Sequence, residues 1–176
     1  MNAYDEIWGV AEDNYGVITA AKAKELGVSR QNLVAMERRG YLMRLCHGVY
    51  QVKHHVIGPH DAYAVGIAMV GDTAYLRGAS VIALLNLAPT NPGILYIGAE
   101  KRVRRRLPRG FRVKDRTRCE TTEYEGYEGI RCQRLTEALK TARDEGAIDA
   151  DRVMAAANAA NEKGLLTDEE RSQFQS

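Results

Sequence analysis

With 176 residues, 45% of them hydrophobic and 27% charged, the chain has the apolar content of one ordinary domain or two small ones and is too apolar to be disordered. No apolar run approaches the roughly 18–20 residues that span a bilayer, and the first residues carry acids without a basic leader, so a soluble cytoplasmic protein with no membrane partner is expected. The net charge of +2 hides two basic islands, +5 over residues 22–53 and +9 over residues 101–118, in a background that is otherwise acidic.

In chain order, a first helix is expected over residues 3–13, with Ile7 and Val10 inward. Thr19 is placed to cap a short helix over 20–26 through its hydroxyl, and Gly27 to end it in the left-handed conformation of a tight turn. Ser29 caps the next helix, in which Leu33 and Met36 share a face with Val28 while Arg30, Gln31, Asn32, Arg38 and Arg39 lie largely off it. Gly40 ends that helix, and Leu42, Leu45, Val49 and Val52 are spaced for a half-buried hairpin turning near Cys46-His47-Gly48. This is the element order of a winged helix-turn-helix, which sets its second helix in a DNA major groove.

The side chains support that use. Arg, Gln and Asn carry the forked donors and acceptors that match base edges, so Arg30 is assigned to guanine and Gln31 and Asn32 to adenine, with Ser29 opening the recognition helix. Thr19, Lys22, Arg38, Arg39 and Arg44 are assigned to phosphate, and His47 at the wing tip to a phosphate or minor-groove contact as readily as to solvent. Helix-turn-helix units also make protein contacts; seven Lys/Arg against two acids between Lys22 and Lys53 favour DNA.

Beyond the hairpin, His54 to Pro59 reads as a linker. Helices are expected over 60–70, with Tyr63, Ile67 and Val70 inward, and over 79–86, followed by the turn cluster Ala88-Pro89-Thr90-Asn91-Pro92-Gly93. Strand candidates follow at 94–97, 111–114, 121–125 and 129–133, then amphipathic helices at 135–143 and 150–162. Thr167 to Glu170 fits a capping box that opens a last short helix. The expected fold is α+β: a winged helix-turn-helix over 1–53, then a small mixed domain over 60–176 with an antiparallel sheet and C-terminal helices.

Residues 15–52 resemble the N-terminal domain of the AbiEi family, antitoxins of type IV toxin–antitoxin (abortive infection, phage-defence) systems. The similarity lies in Gly16-Val17-Ile18-Thr19, Ala23-Lys24-Glu25-Leu26-Gly27-Val28-Ser29-Arg30, Leu33, Gly40-Tyr41-Leu42 and Gly48-Val49-Tyr50. A weaker similarity runs to about residue 145 through Ala79 to Leu87, Ile94 to Ile97, an arginine-rich turn and Gly129-Ile130-Arg131-Cys132. The resemblance implies an antitoxin that represses its own operon and neutralises a nucleotidyltransferase-like toxin. Where many relatives carry an Arg-Thr-Leu-x-Asp-like segment, this chain has Arg134-Leu135-Thr136-Glu137-Ala138-Leu139.

The second island holds ten Lys/Arg against one acid. Lys101, Arg102, Arg104, Arg105, Arg106 and Arg109 are expected to contact nucleic acid or an anionic partner; the competing reading is a solvated hairpin covering the acidic C-terminal helices. No catalytic set, cofactor or metal is expected. His54, His55 and His60 lie in a linker with only Asp61 nearby; Glu120, Glu123, Glu125 and Glu128 alternate as a solvated strand face does; Cys46 and His47 are adjacent and would point to opposite faces of a strand. Cys46, Cys119 and Cys132 make no CxxC pair, and no phosphate loop occurs. The function expected is a non-enzymatic, sequence-specific DNA-binding repressor, a monomer or weak dimer on an inverted-repeat operator. The alternatives are a module that caps a toxin without binding DNA, and an RNA-binding protein using the arginine segment.

Overall fold

The computed structural model describes residues 2–117 and 125–175. The fold is α+β, and the chain divides into two compact units, Met1–Met69 and Val70–Ser176.

The first unit opens with α1 (Ala3–Glu12), whose Asn2 cap accepts from the Tyr4 and Asp5 amides while Asp5 reaches back to the Asn2 amide. Ile7 and Ala11, one turn apart, are fully buried, and Val10 is half-buried against the same core. A turn then leads into β1 (Val17–Thr19), α2 (Ala20–Glu25), α3 (Arg30–Arg38), β2 (Leu42–Cys46) and β3 (Val49–Val52). The strands form a sheet in the order β1-β3-β2, all antiparallel. Strand β1 was not anticipated: three residues are too few to show alternation, and its pairing with β3 makes it a strand. In the hairpin, Arg44 opposes Tyr50 and Cys46 opposes Val49, so the register shifts past Leu45 at a bulge.

The core gathers Ile7, Ala11, Ile18, Ala23, Val28, Leu33, Leu42, Tyr50 and Val52. Burying a side chain such as Leu33 fully contributes about 1.5–3 kcal/mol. Helix α4 (Asp61–Val70) spans the boundary between the units. Of its expected inward set only Val70 is buried; Tyr63 and Ile67 are half-buried, and Asp61 and Ala64 are buried instead.

The second unit contains β4 (Ala74–Leu76), α5 (Ala79–Leu84), β5 (Leu95–Ala99), β6 (Phe111–Lys114), β7 (Glu125–Tyr127), β8 (Ile130–Cys132), α6 (Leu135–Asp144), α7 (Ala150–Glu162) and α8 (Asp168–Ser172). Its sheet runs β6-β5-β4-β8-β7. The antiparallel pairing anticipated holds for β4 with β5 and β7 with β8, while β4·β8 and β5·β6 are parallel, so the sheet is mixed. Strand β4, buried at every residue, lies at the sheet's centre and was also missed. The strand expected over 121–125 falls, for 121–124, outside the described residues, as do Arg118, Cys119, Glu120 and Glu123.

Helix α6 buries Leu135, Ala138, Leu139 and Ala142, and α7 buries Val153, Ala156, Ala157 and Ala160, each a single stripe at helical spacing. Alanines on both stripes let α6 pack closely against α7 and α5. Thr167 and Glu170 close the expected capping box ahead of α8. Among the described residues no helix is long and apolar enough to cross a membrane.

Candidate nucleic-acid interface

The α2–α3 pair is built from local signals. The Lys22 amide donates to Thr19 Oγ1 at 3.1 Å and the Asn32 amide to Ser29 Oγ at 3.2 Å, so both caps are made. Between the helices Gly27 takes φ +77, and the Val28 amide donates to the Ala23 carbonyl at 2.9 Å. Leu33, fully buried, locks α3 to the core with Val28 and half-buried Met36 beside it.

Successive residues turn by 100°, so burying Leu33 places Gln31, Ala35 and Arg38 on the far side of α3. Arg30, Gln31, Val34, Ala35, Arg38 and Arg39 line one open face. They form two ridges, Arg30-Val34-Arg38 and Gln31-Ala35-Arg39, whose small middle residues leave a low floor between polar and cationic ends. Arg30, Gln31, Asn32, Arg38 and Arg39 are all exposed, as is Ser29.

Asn32 lies differently from Gln31. It borders a groove shared with Asn2, Tyr4, Met36, Arg39 and Tyr41, where the Tyr4 and Tyr41 rings stand 5.0 Å apart at 45°. Burial, then the neighbouring Tyr41 and Asp5, raise the Tyr4 pKa, so the ring stays a neutral phenol. Sequence reasoning missed this groove, because α1 reaches α3 only through tertiary packing. The one local hint is an aromatic Tyr41 directly after the helix-ending Gly40.

At the β2–β3 turn, Arg44 Nη2 lies 3.3 Å from His47 Nδ1 and Arg44 Nε donates to the Cys46 carbonyl at 3.4 Å, so Arg44 and His47 come together there, both exposed. The Ala20 amide donates to the Gly48 carbonyl at 2.8 Å, tying the hairpin turn to the first residue of α2. Lys22 Nζ sits 2.8 Å from Glu25, both exposed. Such a pair is worth under about 1 kcal/mol, so a phosphate competes with it readily. The half-exposed Thr19 already uses its hydroxyl as a cap.

In the second unit, Lys101, Arg102, Arg104, Arg105, Arg106 and Arg109 are exposed in the connection between β5 and β6. Lys101 pairs with Asp72 at 3.5 Å. His55 pairs through Nε2 with Asp61, whose other oxygen accepts from the Gly58 amide at 2.6 Å. Among the described residues no group of three or more His, Cys, Asp or Glu converges as metal ligands would. The Cys46 thiol donates to the His47 carbonyl at 4.0 Å.

Residues 10–53, from the end of α1 through β3, match the family model described as a transcriptional regulator, AbiEi antitoxin. The matched segment is the one that carries α2, α3 and the hairpin. No curated protein matches the chain.

Proposed function

We propose that the chain is a sequence-specific DNA-binding repressor whose α2–α3 pair and β2–β3 hairpin act as a winged helix-turn-helix. The observation that carries this reading is the open face of α3, where Arg30, Gln31, Arg38 and Arg39 stand exposed around a low floor while Leu33 is fully buried behind them. With its side chains an α-helix is about 10–12 Å across, so the nine-residue α3 fits a major groove about 12 Å wide. Gln31 and Arg30 read base edges, each good bidentate contact being worth about 1–3 kcal/mol of discrimination. Arg38, Arg39 and Lys22 hold phosphate, and Arg44 with His47 reaches the adjacent backbone from the wing.

The match over residues 10–53 supports extending this reading to an antitoxin that represses its own operon and counteracts a nucleotidyltransferase-like toxin. Gel shifts with duplex DNA from upstream of the chain's own gene test the DNA half. Tight binding that falls steeply between low and physiological salt, and exceeds binding to random duplex, is expected; equal affinity for both duplexes, or none, refutes it. Co-expression with a nucleotidyltransferase-like product of the adjacent gene tests the other half. Growth rescue supports the antitoxin role, and unrelieved toxicity leaves only a regulator.

A further inference from the structure

We infer that the β5–β6 connection of the second unit is a separate binding site for the phosphate backbone of duplex DNA, reading charge and not sequence. The inference rests on the DNA-binding reading of the first unit and adds a contact outside residues 10–53.

The segment is held at its base while its cations stand out. The Val103 amide donates to Asp115 Oδ2 at 2.7 Å, the Lys101 amide to Thr73 Oγ1 at 3.3 Å, and the Leu95 amide to the Gly110 carbonyl at 2.9 Å. Gly110 takes φ +91 with its α-carbon against the Gly93 carbonyl, a packing that admits no side chain. Asp115, the one acid between residues 101 and 118, is thus committed to the backbone.

The lysines at the two ends have carboxylate neighbours, Lys101 with Asp72 and Lys114 with Glu145 at 3.6 Å. Arg102, Arg104, Arg106 and Arg109 are exposed and form no ion pair among the described residues. Four unneutralised guanidinium groups within eight residues repel one another unless an anion lies across them.

The choice of anion follows from what surrounds them. Single-stranded nucleic acid is gripped by aromatic platforms on which bases stack. The only aromatic residue between 101 and 117 is Phe111, which starts β6 and is half-buried. Guanidinium forks with no aromatic residue interspersed among them suit the regularly spaced phosphates of a duplex. The first unit supplies that duplex at high effective concentration, because both units belong to one chain.

The test uses the full chain with Arg104, Arg106 and Arg109 all changed to Ala, and a second variant with all three changed to Lys. Affinities for upstream duplex, random duplex and hairpin RNA are measured by anisotropy across a salt series. The alanine variant is expected to lose affinity for both duplexes by the same factor, with the slope of log K against log salt flattened by about two to three. The operator-to-random ratio is expected to hold, and the lysine variant to recover the slope. If the wild type binds its operator and the alanine variant binds with the same slope, this inference falls and the α3 reading survives. If the wild type binds no duplex, both fall. Loss confined to RNA, with duplex binding intact, also overturns it. Thermal melts monitored by circular dichroism confirm that the variants fold; should the alanine variant melt early, the Lys variant paired with Arg106→Ala alone decides.

Discussion

Arg77 and Glu145, 68 residues apart, meet as a planar fork, Nη1 to Oε2 and Nη2 to Oε1 each at 2.8 Å. Arg77 follows β4 and Glu145 caps the end of α6, so the pair fastens the centre of the sheet to a helix. Arg77 is nearly buried, whereas Glu145 keeps about a third of its surface in water (side chains 9% and 34% exposed). Arg77 Nε is also buried, without a hydrogen-bond partner among the described residues, so the guanidinium depends on this carboxylate. Replacing Glu145 by Gln is therefore expected to destabilise the second unit by about 1–3 kcal/mol at neutral pH, less than for a fully buried pair.

The same pair sets an acid limit. Burial works to raise the Glu145 pKa, but hydrogen bonds and charge from Arg77, with Lys114 nearby, outweigh it and hold the carboxyl below its ordinary value. A carboxyl depressed in the fold stabilises above its unfolded pKa, and that contribution is lost as pH falls through the folded value. Urea unfolding at pH 7 and at pH 3.5, followed by circular dichroism because the one tryptophan, Trp8, is in the first unit, checks this. The wild type should lose more stability between the two pH values than Glu145→Gln; equal losses would remove the pair from the acid response.

Gly16 is expected to be intolerant of any side chain. It takes φ +72, and a Cβ there would lie 2.5 Å from Cγ of His55, the ring that pairs with Asp61. Gly16→Ala should cost about 1–3 kcal/mol in chemical denaturation, combining left-handed strain with displacement of the His55–Asp61 pair. In the double variant Gly16→Ala, His55→Ala, the clash with the ring is gone, but the 2.7 Å approach to the residue-55 Cβ, the strain and the lost pair remain. The two single costs should therefore sum to more than the double-variant cost; strict additivity would mean that the ring does not abut Gly16.

Thr19 is expected to act on stability before it acts on DNA. Its hydroxyl accepts from the Lys22 amide, so Thr19→Ala should lower unfolding stability by about 1 kcal/mol, and Thr19→Ser should restore it. If Thr19→Ala left the melt unchanged and weakened only operator binding, the hydroxyl would be a phosphate ligand and not a cap.

Legibility in the sequence followed the range of the interaction. The caps at Thr19, Ser29 and Thr167, the turns at Gly27 and Gly48, and the stripes of α6 and α7 are local chemistry, and the structure places them where spacing puts them. Strands β1 and β4 have three residues each, and what makes them strands is partners 30 or more and 20 or more residues away. Parallel pairing of β5 with β6 was hidden similarly, since the connection between them resembles a long hairpin loop until its register is known. At the candidate site, the residues of α3 were legible from helical periodicity, but their division between an open face and the Tyr4–Tyr41 groove was not. That division depends on α1, which no spacing within residues 29–39 encodes.

The division makes Gln31 and Asn32 unequal. Gln31 stands opposite buried Leu33 on the open face between Arg30 and Arg38, where a groove floor would meet it first. Asn32 borders the groove holding Asn2, Tyr4 and Tyr41, displaced about 100° around the helix. With α3 docked on the face opposite its anchor, Gln31→Ala should lower the operator-to-random affinity ratio by about tenfold, the equivalent of a lost base contact of 1–3 kcal/mol. Asn32→Ala should lower affinity for both duplexes by a smaller, equal factor, as a contact near the backbone does. Competition binding of each variant on operator and random duplexes at one fixed salt measures both numbers. The opposite ranking would mean that α3 enters the groove rolled toward α1, with Tyr41 brought near the bases and Gln31 turned to the strand edge.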